Sequence, residues 1–320
     1  MIKKEHKIPK NIQKLEALLR RLAADHPKRP QIEKVLAKAT AGFKGEKSID
    51  YYLSFLPEDQ FHFLHGLRLL SSGTRYFQMD TLILSPRFIL ILEVKNITGS
   101  LFFDKTHQQL IRKVKDREEA FPDPLLQVQR QKLQLENWLK KHKYPDSIPV
   151  RTLVVISNPS TIIKEAPNQE VLHAQGLPDK IHQIDQSFTT DVLTFKEMKK
   201  METTLIKKHV PLEKDILSQF SIMREDIKKG VHCPECFHIP MIRKRGKWHC
   251  KKCLNENQEA HIATLKDYCL LIHKTLTNKE AREFLNIQSD SIAKHLIYSL
   301  KLKSTGKNKG RQYILEFPEE

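Results

Sequence analysis

A run of five apolar residues, Phe88–Leu92, is followed directly by Glu93, Val94 and Lys95. A continuous apolar run of this length predicts a central strand that is covered on both faces of a sheet. Charged groups at the end of such a strand are costly to bury unless something pairs them. Because side chains alternate along a strand, Glu93 and Lys95 lie on one face and Val94 on the other. The fold must therefore accept a carboxylate and an ammonium at the end of a buried strand.

A second carboxylate, that of Asp80, lies on the preceding strand-like segment at residues 76–84. Ser85 and Pro86 predict a turn after this segment. Two antiparallel neighbours joined there would bring Asp80 close to Glu93. Two carboxylates with a lysine alongside suit Mg²⁺ and a phosphodiester. A structural ion pair at the strand end is the alternative interpretation of the same charges.

The charge of the chain favours a polyanionic partner. Its 320 residues, enough for two or three domains, carry 55 Lys and Arg against 38 Asp and Glu, a net charge of +17. Nucleic acid is the first candidate partner, and a solvated basic surface without a partner is the alternative. No apolar run reaches the roughly 20 residues of a membrane span, and no signal peptide is evident. Five cysteines, four of them in two Cys-x-x-Cys pairs, fit a reducing compartment, so we expect a cytoplasmic protein.

Composition and periodicity divide the chain into five parts. They are a basic helical arm at 1–41, an α/β domain at 42–211, a helical connector at 212–230, a zinc ribbon at 231–258 and a small basic module at 259–320. In the arm, apolar spacing predicts helices at 12–24 and 31–39, which we expect to pack on the main domain. In the α/β domain, strands alternate with helices, which predicts a mixed sheet with helices on both faces.

The elements of the α/β domain follow from the same patterns. Strands are predicted near 61–70, 76–84, 88–94, 99–104, 110–114 and 151–157. Helices are predicted to open at Gly45-Glu46, to span 124–141, and to follow Asp191.

Residues 40–160 resemble the nuclease-related domain family, often called NERD. The resemblance is carried by four motifs: Gly45-Glu46; Gln78-Met79-Asp80; Glu93-Val94-Lys95-Asn96 with Gly99; and Asp123-Pro124-Leu125-Leu126-Gln127. That family is placed in the restriction-endonuclease-like PD-(D/E)XK superfamily. The resemblance therefore implies a restriction-endonuclease-like mixed-sheet core. One departure is that Met79 precedes Asp80 where the superfamily signature has proline.

The resemblance also implies a role for each matching residue. Asp80 and Glu93 would bind a divalent metal, Mg²⁺ or Mn²⁺, with help from the Val94 carbonyl. Lys95 would position or deprotonate the attacking water and stabilise charge on the phosphate. This agrees with general chemistry, because Mg²⁺ is commonly held by one or two carboxylates plus phosphate, and the pKa of lysine responds to its surroundings.

Two further residues complete the implied site. Glu46 would be an additional acidic residue at the metal, and Gln127 would orient water or phosphate. The implied activity is metal-dependent hydrolysis of phosphodiester bonds, with DNA as the expected substrate. Two alternatives stay open: a non-catalytic nucleic-acid-binding protein that retains the nuclease fold, and a regulatory protein whose C-terminal part binds another protein.

Four cysteines predict a metal site in the part after the connector. They form two Cys-x-x-Cys pairs with thirteen residues between the pairs: Cys233, Cys236, Cys250 and Cys253. Four thiolates at this spacing suit tetrahedral Zn²⁺ and leave no open coordination position, so the predicted zinc is structural. Residues 241–243 and 247–249 predict the two strands of a zinc ribbon, turning at Arg245-Gly246. A redox pair is the alternative.

The last 60 residues predict a helix-turn-helix or winged-helix-like module. Thr277-Asn278-Lys279-Glu280 matches a helix-capping box. A second helix is predicted at 289–300, with Ile292, Leu296 and Leu300 as its apolar face. Two basic strands at 301–303 and 311–315 flank a loop rich in glycine and lysine.

In this module the second helix would enter a groove of nucleic acid, and the hairpin would meet phosphates. The predicted contacts are Lys294 and Tyr298 on the helix and Lys307, Lys309 and Arg311 on the wing. A small helical protein-interaction domain is the alternative.

Overall fold

The computed structural model describes residues 1–166 and 170–317, without the side chain of Lys309. The chain forms two compact units. The first unit joins Met1–His6 to Thr40–Pro211. The second joins Lys7–Ala39 to the described residues from Leu212 onward. In the described part of the chain, no helix is long and apolar enough to cross a membrane.

The described helices are numbered in chain order. They are α1 Lys10–Arg21, α2 Arg29–Ser48, α3 Asp50–Leu53, α4 Pro124–Lys141, α5 Leu177–Gln186, α6 Phe195–Lys208, α7 Ile216–Phe220, α8 Ala260–Leu271, α9 Asn278–Leu285 and α10 Asp290–Ser299. Short 3₁₀ turns occur at Ala174–Gly176, Arg224–Asp226 and Asn308–Gly310.

The described strands are numbered in the same way. Those of the first unit are β1 Ile2–Lys4, β2 His62–Ser72, β3 Arg75–Leu84, β4 Ile89–Lys95, β5 Ser100–Asp104, β6 Gln109–Val114, β7 Arg117–Pro122, β8 Val150–Ile156, β9 Ile162–Lys164 and β10 Val171–His173. Those of the second unit are β11 Ile242–Lys244, β12 Lys247–His249, β13 Glu256–Asn257, β14 Thr275–Thr277, β15 Ser304–Thr305 and β16 Gln312–Ile314.

The first unit is built on a mixed six-stranded sheet in the order β1-β2-β3-β4-β8-β10. The pairs β2–β3 and β3–β4 are antiparallel, whereas β1–β2, β4–β8 and β8–β10 are parallel. A second sheet, β7-β6-β5-β9, lies in the same unit. The predicted α/β class with a mixed sheet is confirmed.

Helices cover both faces of the six-stranded sheet, as predicted. On one face, Leu135 of α4 and Met201 of α6 share a core with Ile91 of β4. On the other face, α3 and α5 share a core with Leu92 through Leu53 and Ile181. Alternate residues of β4 therefore serve opposite layers, which explains its continuous apolar run.

Helix α2 differs from the prediction because it runs without a break from Arg29 to Ser48. We expected a helix at 31–39 and a new one opening at Gly45. Gly45 instead lies where the helix backbone passes close to Asn96. A Cβ atom at Gly45 would lie 2.5 Å from Asn96 Cβ and 2.8 Å from Ser157 Oγ. This glycine permits close approach of a helix and does not begin one.

The N-terminal segment also differs from the predicted arm. Residues 2–4 form β1, which pairs with β2 at the edge of the six-stranded sheet. Helix α1 belongs to the second unit, where Leu15 and Leu18 share a core with Leu265 of α8. The predicted arm is therefore divided, with β1 in the first unit and α1 in the second.

A buried ion pair explains where α1 packs. The Arg21 side chain is fully buried, and its Nε donates to Asp267 Oδ2 of α8 over 2.8 Å. Arg21 also donates to the carbonyls of Lys228 and Gly230. Arg20 of the same helix pairs with Asp267 as well. These contacts give α1 a specific partner that its apolar spacing alone does not identify.

The C-terminal part of the second unit contains two small sheets, β11-β12-β13 and β14-β16-β15. The capping box is present, since Thr277 Oγ1 accepts from the Glu280 backbone N–H and the Glu280 carboxylate accepts from the Thr277 backbone N–H. The hairpin strand predicted at 301–303 instead forms at Ser304–Thr305, and Lys301 adopts a positive φ of 52°. Helix α10 buries Ala293, Leu296 and Ile297, whereas Ile292, predicted on the apolar face, is 40% exposed.

Candidate active site and zinc-type cysteine cluster

The candidate active site begins where the β3–β4 ladder stops. The antiparallel pairing ends at Thr81 and Leu92, so the backbone N–H of Val94 lies beyond the ladder. The Val94 backbone N–H instead donates a hydrogen bond to Asp80 Oδ2, over 2.9 Å. The N–H and carbonyl of one strand residue point to the same edge, so the Val94 carbonyl also faces the Asp80 edge of β4.

Glu93 is buried and held from two sides. Only 3% of Glu93 is exposed. Lys95 Nζ donates to Glu93 Oε1 over 2.6 Å, which places both side chains on one face of β4, as their spacing predicts. Gln131 Nε2 donates to Glu93 Oε2 over 2.9 Å and also to the Gln78 carbonyl over 2.9 Å. Each carboxylate oxygen of Glu93 therefore has a fixed donor, which satisfies a buried charge.

Helix α4 supplies two glutamines to this face. Its N-terminus is fixed by Asp123, whose side chain accepts from Leu125 N over 2.8 Å, and by Pro124 at the first helical position. Gln127 Oε1 accepts from Lys95 Nζ over 3.1 Å. Gln131, one turn later, was not among the predicted site residues. Its position four residues after Gln127 is the signal that identifies it, because residues i and i+4 share a helix face.

Glu46 lies near the same charges, at the C-terminal end of α2. Burial, followed by the negative charge of Glu93, raises its pKa, while His6 and Lys95 oppose the shift. Asp80 responds in the same direction. Burial and then the charges of Glu93 and Glu46 raise the pKa of Asp80 well above its usual value, against the Val94 hydrogen bond. The three carboxylates therefore repel one another, and this repulsion is what a bound cation would relieve.

The donor set fits a hard divalent cation. Carboxylate oxygens are the ligands that Mg²⁺ prefers, and Mg²⁺ accepts one or two protein carboxylates while keeping several waters. In the described part of the chain, Glu46, Asp80 and Glu93 do not form a group with all ligand atoms within 4.8 Å of one another. An ion here would therefore be held by part of this set and not by all three together.

A second chemical feature is the cluster of four cysteines in the second unit. The Sγ atoms of Cys233, Cys236, Cys250 and Cys253 lie within 4.8 Å of one another. Cys233 Sγ lies 3.5 Å from Cys253 Sγ, and Cys236 Sγ lies 3.5 Å from Cys250 Sγ. Ligands of a tetrahedral zinc at about 2.3 Å lie about 3.8 Å apart, so the cluster suits Zn²⁺.

The strands beside this cluster agree with a zinc ribbon. β11 and β12 pair antiparallel and turn at Arg245 and Gly246, both with positive φ. A third strand, β13, pairs with β12 and was not predicted.

The predicted nucleic-acid contacts lie in the last module of the second unit. Lys294 and Tyr298 are exposed on α10, and Tyr298 is 80% exposed. Lys307 and Arg311 are exposed around the β15–β16 hairpin. The side chain of Lys309 lies outside the described residues. These positions present positive charge and one large aromatic ring to solvent.

Comparison with known proteins identifies one family. Residues 41–157 match the family model described as nuclease-related domain. All four motifs, from Gly45-Glu46 to Gln127, lie within this match. Comparison with curated proteins finds no match to the chain. The chain thus carries a nuclease-related domain at residues 41–157.

Proposed function

We propose that the protein is a metal-dependent nuclease that hydrolyses phosphodiester bonds in DNA. The observation that carries the proposal is the cluster of repelling carboxylates beside Lys95, within the nuclease-related domain. A structural ion pair at a strand end would need only Glu93 and Lys95. It would not need Asp80 and Glu46, which raise the cost of burying negative charge there. Costly charge at one place is typical of a functional site.

The metal would be held by Asp80 and Glu93, with the Val94 carbonyl as a further ligand. Glu46 would add negative charge near it. When bound, Mg²⁺ or Mn²⁺ supplies positive charge at the phosphate and lowers the pKa of a coordinated water. The oxygen ligands and the raised pKa of Asp80 support this assignment.

Lys95 would act on the phosphate and on the attacking water. Its ammonium is held between Glu93 Oε1 and Gln127 Oε1, so the two acceptors fix its position. From there it would stabilise charge on the phosphate and position or deprotonate water. Gln127 would orient Lys95 and a water or phosphate oxygen. Gln131 would keep Glu93 in place through its bond to Oε2.

The second unit would hold the nucleic acid. Two helices followed by a small hairpin are the outline of a winged helix, in which α10 would enter a groove. Lys294 and Tyr298 would contact nucleic acid from α10, and Lys307, Lys309 and Arg311 would contact phosphates from the wing. The cysteine cluster would carry a structural Zn²⁺. The net charge of +17 supports a polyanionic partner.

Cleavage of a panel of nucleic acids tests the proposal. Labelled single-stranded, double-stranded and branched DNAs and RNAs are incubated with the protein in Mg²⁺, Mn²⁺ or EDTA. We expect cleavage of DNA that requires the metal and is lost in Asp80→Ala. The exposed Asp146→Ala serves as the matched control and should cleave like the wild type. Intact, salt-sensitive binding without cleavage would instead favour a non-catalytic nucleic-acid-binding protein.

A further inference from the structure

The first unit holds a second group of metal-ligating side chains, apart from the carboxylates above. His6, Asp50 and His65 each offer one ligand atom, and these atoms lie within 4.8 Å of one another. His65 lies on β2 opposite Thr81 of β3, which in turn pairs with Leu92 of β4. Leu92 belongs to the core layer of α3 and α5, whereas Glu93 faces α4. The group therefore lies on the opposite face of the sheet from Glu93.

The distances within this group match those of metal ligands. His6 Nε2 lies 3.2 Å and His65 Nε2 lies 3.5 Å from Asp50 Oδ1. Nitrogen and oxygen ligands of a tetrahedral zinc at about 2.0–2.1 Å lie about 3.3 Å apart. The two observed distances bracket this value.

The three atoms are not hydrogen-bonded to one another, in spite of these short distances. His6 Nε2, His65 Nε2 and Asp50 Oδ1 are all buried atoms without a hydrogen-bond partner. The side chain of His6 is 3% exposed and that of His65 is fully buried. A buried polar atom without a partner is costly, so a bound ion would stabilise this group. A geometry that is close but misaligned for hydrogen bonding is what three ligands of one ion present.

The remaining contacts of the histidines favour the metal-binding form. His65 Nδ1 lies 2.9 Å from Thr81 Oγ1, so that Nδ1–H can donate there and leave the Nε2 lone pair free. The two rings are stacked, with centroids 3.8 Å apart and ring planes 21° apart, so one ring would turn for both Nε2 atoms to bind one ion.

We propose that His6, Asp50 and His65 bind one divalent transition-metal ion of the zinc class. Imidazole nitrogens with one carboxylate suit Zn²⁺ better than Mg²⁺, which prefers oxygen ligands. Three protein ligands leave one position for water or another small ligand. The side chain of Asp50 is 25% exposed, although its ligand atom Oδ1 is buried. The ion would also join the segment after β1 to β2 and α3.

The zinc content of the purified full-length chain tests this proposal without measuring cleavage, so it is independent of the proposed nuclease activity. The protein is saturated with Zn²⁺, freed of loosely bound metal and analysed by elemental mass spectrometry. We expect the wild type to hold one zinc ion per chain more than Asp50→Ala or His6→Ala. Cys233→Ser, which damages the cysteine cluster, should keep this ion.

A buried histidine elsewhere on β2 provides the matched control. His62 Nδ1 lies 2.6 Å from Glu202 Oε2, outside the proposed site. His62→Gln should therefore retain the full zinc content, even where it lowers stability. Equal zinc content in the wild type and in folded Asp50→Ala, checked by circular dichroism, would overturn the proposal.

Substitution of Thr81, which contacts the proposed ligand His65, tests the arrangement of the metal ligands in a second way. Thr81→Val keeps the shape of a buried side chain but removes the group beside His65 Nδ1. Loss of such a supporting contact weakens metal binding by about 10- to 100-fold. Competition with a chelator measures this affinity, and unchanged affinity in Thr81→Val would contradict the proposed ligand arrangement.

Discussion

The two units each bury a cluster of charge, and the clusters differ in the signs that they bring together. In the second unit, buried Arg21 meets buried Asp267, and backbone carbonyls accept the remaining guanidinium donors. In the first unit, Asp80, Glu93 and Glu46 lie together with one ammonium, that of Lys95. Opposite charges that satisfy each other hold a fold together, whereas an excess of one sign leaves a place for a ligand.

This difference appears in the pKa values of the acidic groups. Burial raises the pKa of Asp267, but Arg21 and Arg20 oppose the shift by charge and by hydrogen bonds. For Asp80, burial and the two neighbouring carboxylates act in the same direction, and the pKa rises well above its usual value. We therefore expect substitutions of the two aspartates to change stability in opposite directions.

The largest expected effect on stability comes from breaking the buried ion pair between Arg21 and Asp267. Asp267→Ala leaves Arg21 buried without its partner, and such a loss costs about 3–5 kcal/mol. The matched control is Glu316→Ala, which removes an exposed ion pair with Lys303 in the same unit. An exposed pair contributes at most about 1 kcal/mol. Denaturant unfolding measures both values, and equal small losses would show that Asp267 does not anchor α1.

A smaller loss is expected in the first unit from Gln131→Leu. This change removes the donor to the Gln78 carbonyl and to Glu93 Oε2, and it leaves the buried Glu93 oxygen without that partner. The expected cost is about 1–3 kcal/mol. Gln129→Leu, on the exposed face of the same helix, should be nearly neutral. If the two variants unfold alike, Gln131 does not position Glu93.

Asp80→Asn should stabilise the metal-free protein, with a size that depends on pH. The folded-state pKa of Asp80 is raised, so its protonated form is favoured in the fold. The wild type has this stability in full below the unfolded pKa, about 3.9, and loses it as the pH rises through the folded pKa. Asparagine stays neutral and keeps an oxygen for the Val94 N–H. The melting temperature in EDTA should therefore exceed that of the wild type at pH 8, and the gap should close in acid.

When Mg²⁺ replaces EDTA, we expect the difference in melting temperature between the wild type and Asp80→Asn to change sign. Mg²⁺ should raise the melting temperature of the wild type and leave that of Asp80→Asn almost unchanged, since binding to the folded state alone stabilises it. A variant that is less stable than the wild type at pH 8 in EDTA would contradict the proposed repulsion among the carboxylates.

The smallest expected effect is on DNA affinity and comes from the β15–β16 hairpin. Lys307→Ala should weaken DNA binding for all sequences alike and reduce the slope of log affinity against log salt by about 1. Lys34→Ala, an exposed lysine on α2 in the second unit, is the control and should leave the slope unchanged. Binding titrations at several salt concentrations measure the slope. Equal slopes for Lys307→Ala and the wild type would remove Lys307 from the interface.

Local patterns were enough to predict much of the candidate site. Alternation along β4 placed Glu93 and Lys95 together, and the turn at Ser85-Pro86 placed Asp80 on the neighbouring strand. Asp123 and Pro124 fixed the start of α4, whose bounds match the prediction. These features depend on contacts between residues close in sequence, where spacing determines geometry.

The sequence patterns do not predict contacts between residues far apart in the chain. Arg21 and Asp267 are 246 residues apart, and nothing in the amphipathic spacing of α1 identifies α8 as its partner. The His6, Asp50 and His65 group joins three separate elements in the same way. A single buried histidine is more often structural than a metal ligand. The group is therefore recognised only from the closeness of three ligand atoms in the folded structure.

A single substitution at Lys95 separates DNA cleavage from DNA binding. Lys95→Ala is compared with the wild type in Mg²⁺, with DNA binding and cleavage measured on the same labelled substrate. We predict that binding is retained while cleavage falls by about 10²- to 10⁴-fold, because Lys95 acts on the reacting groups. Cleavage by Lys95→Ala at the wild-type rate would show that Lys95 has no part in the reaction.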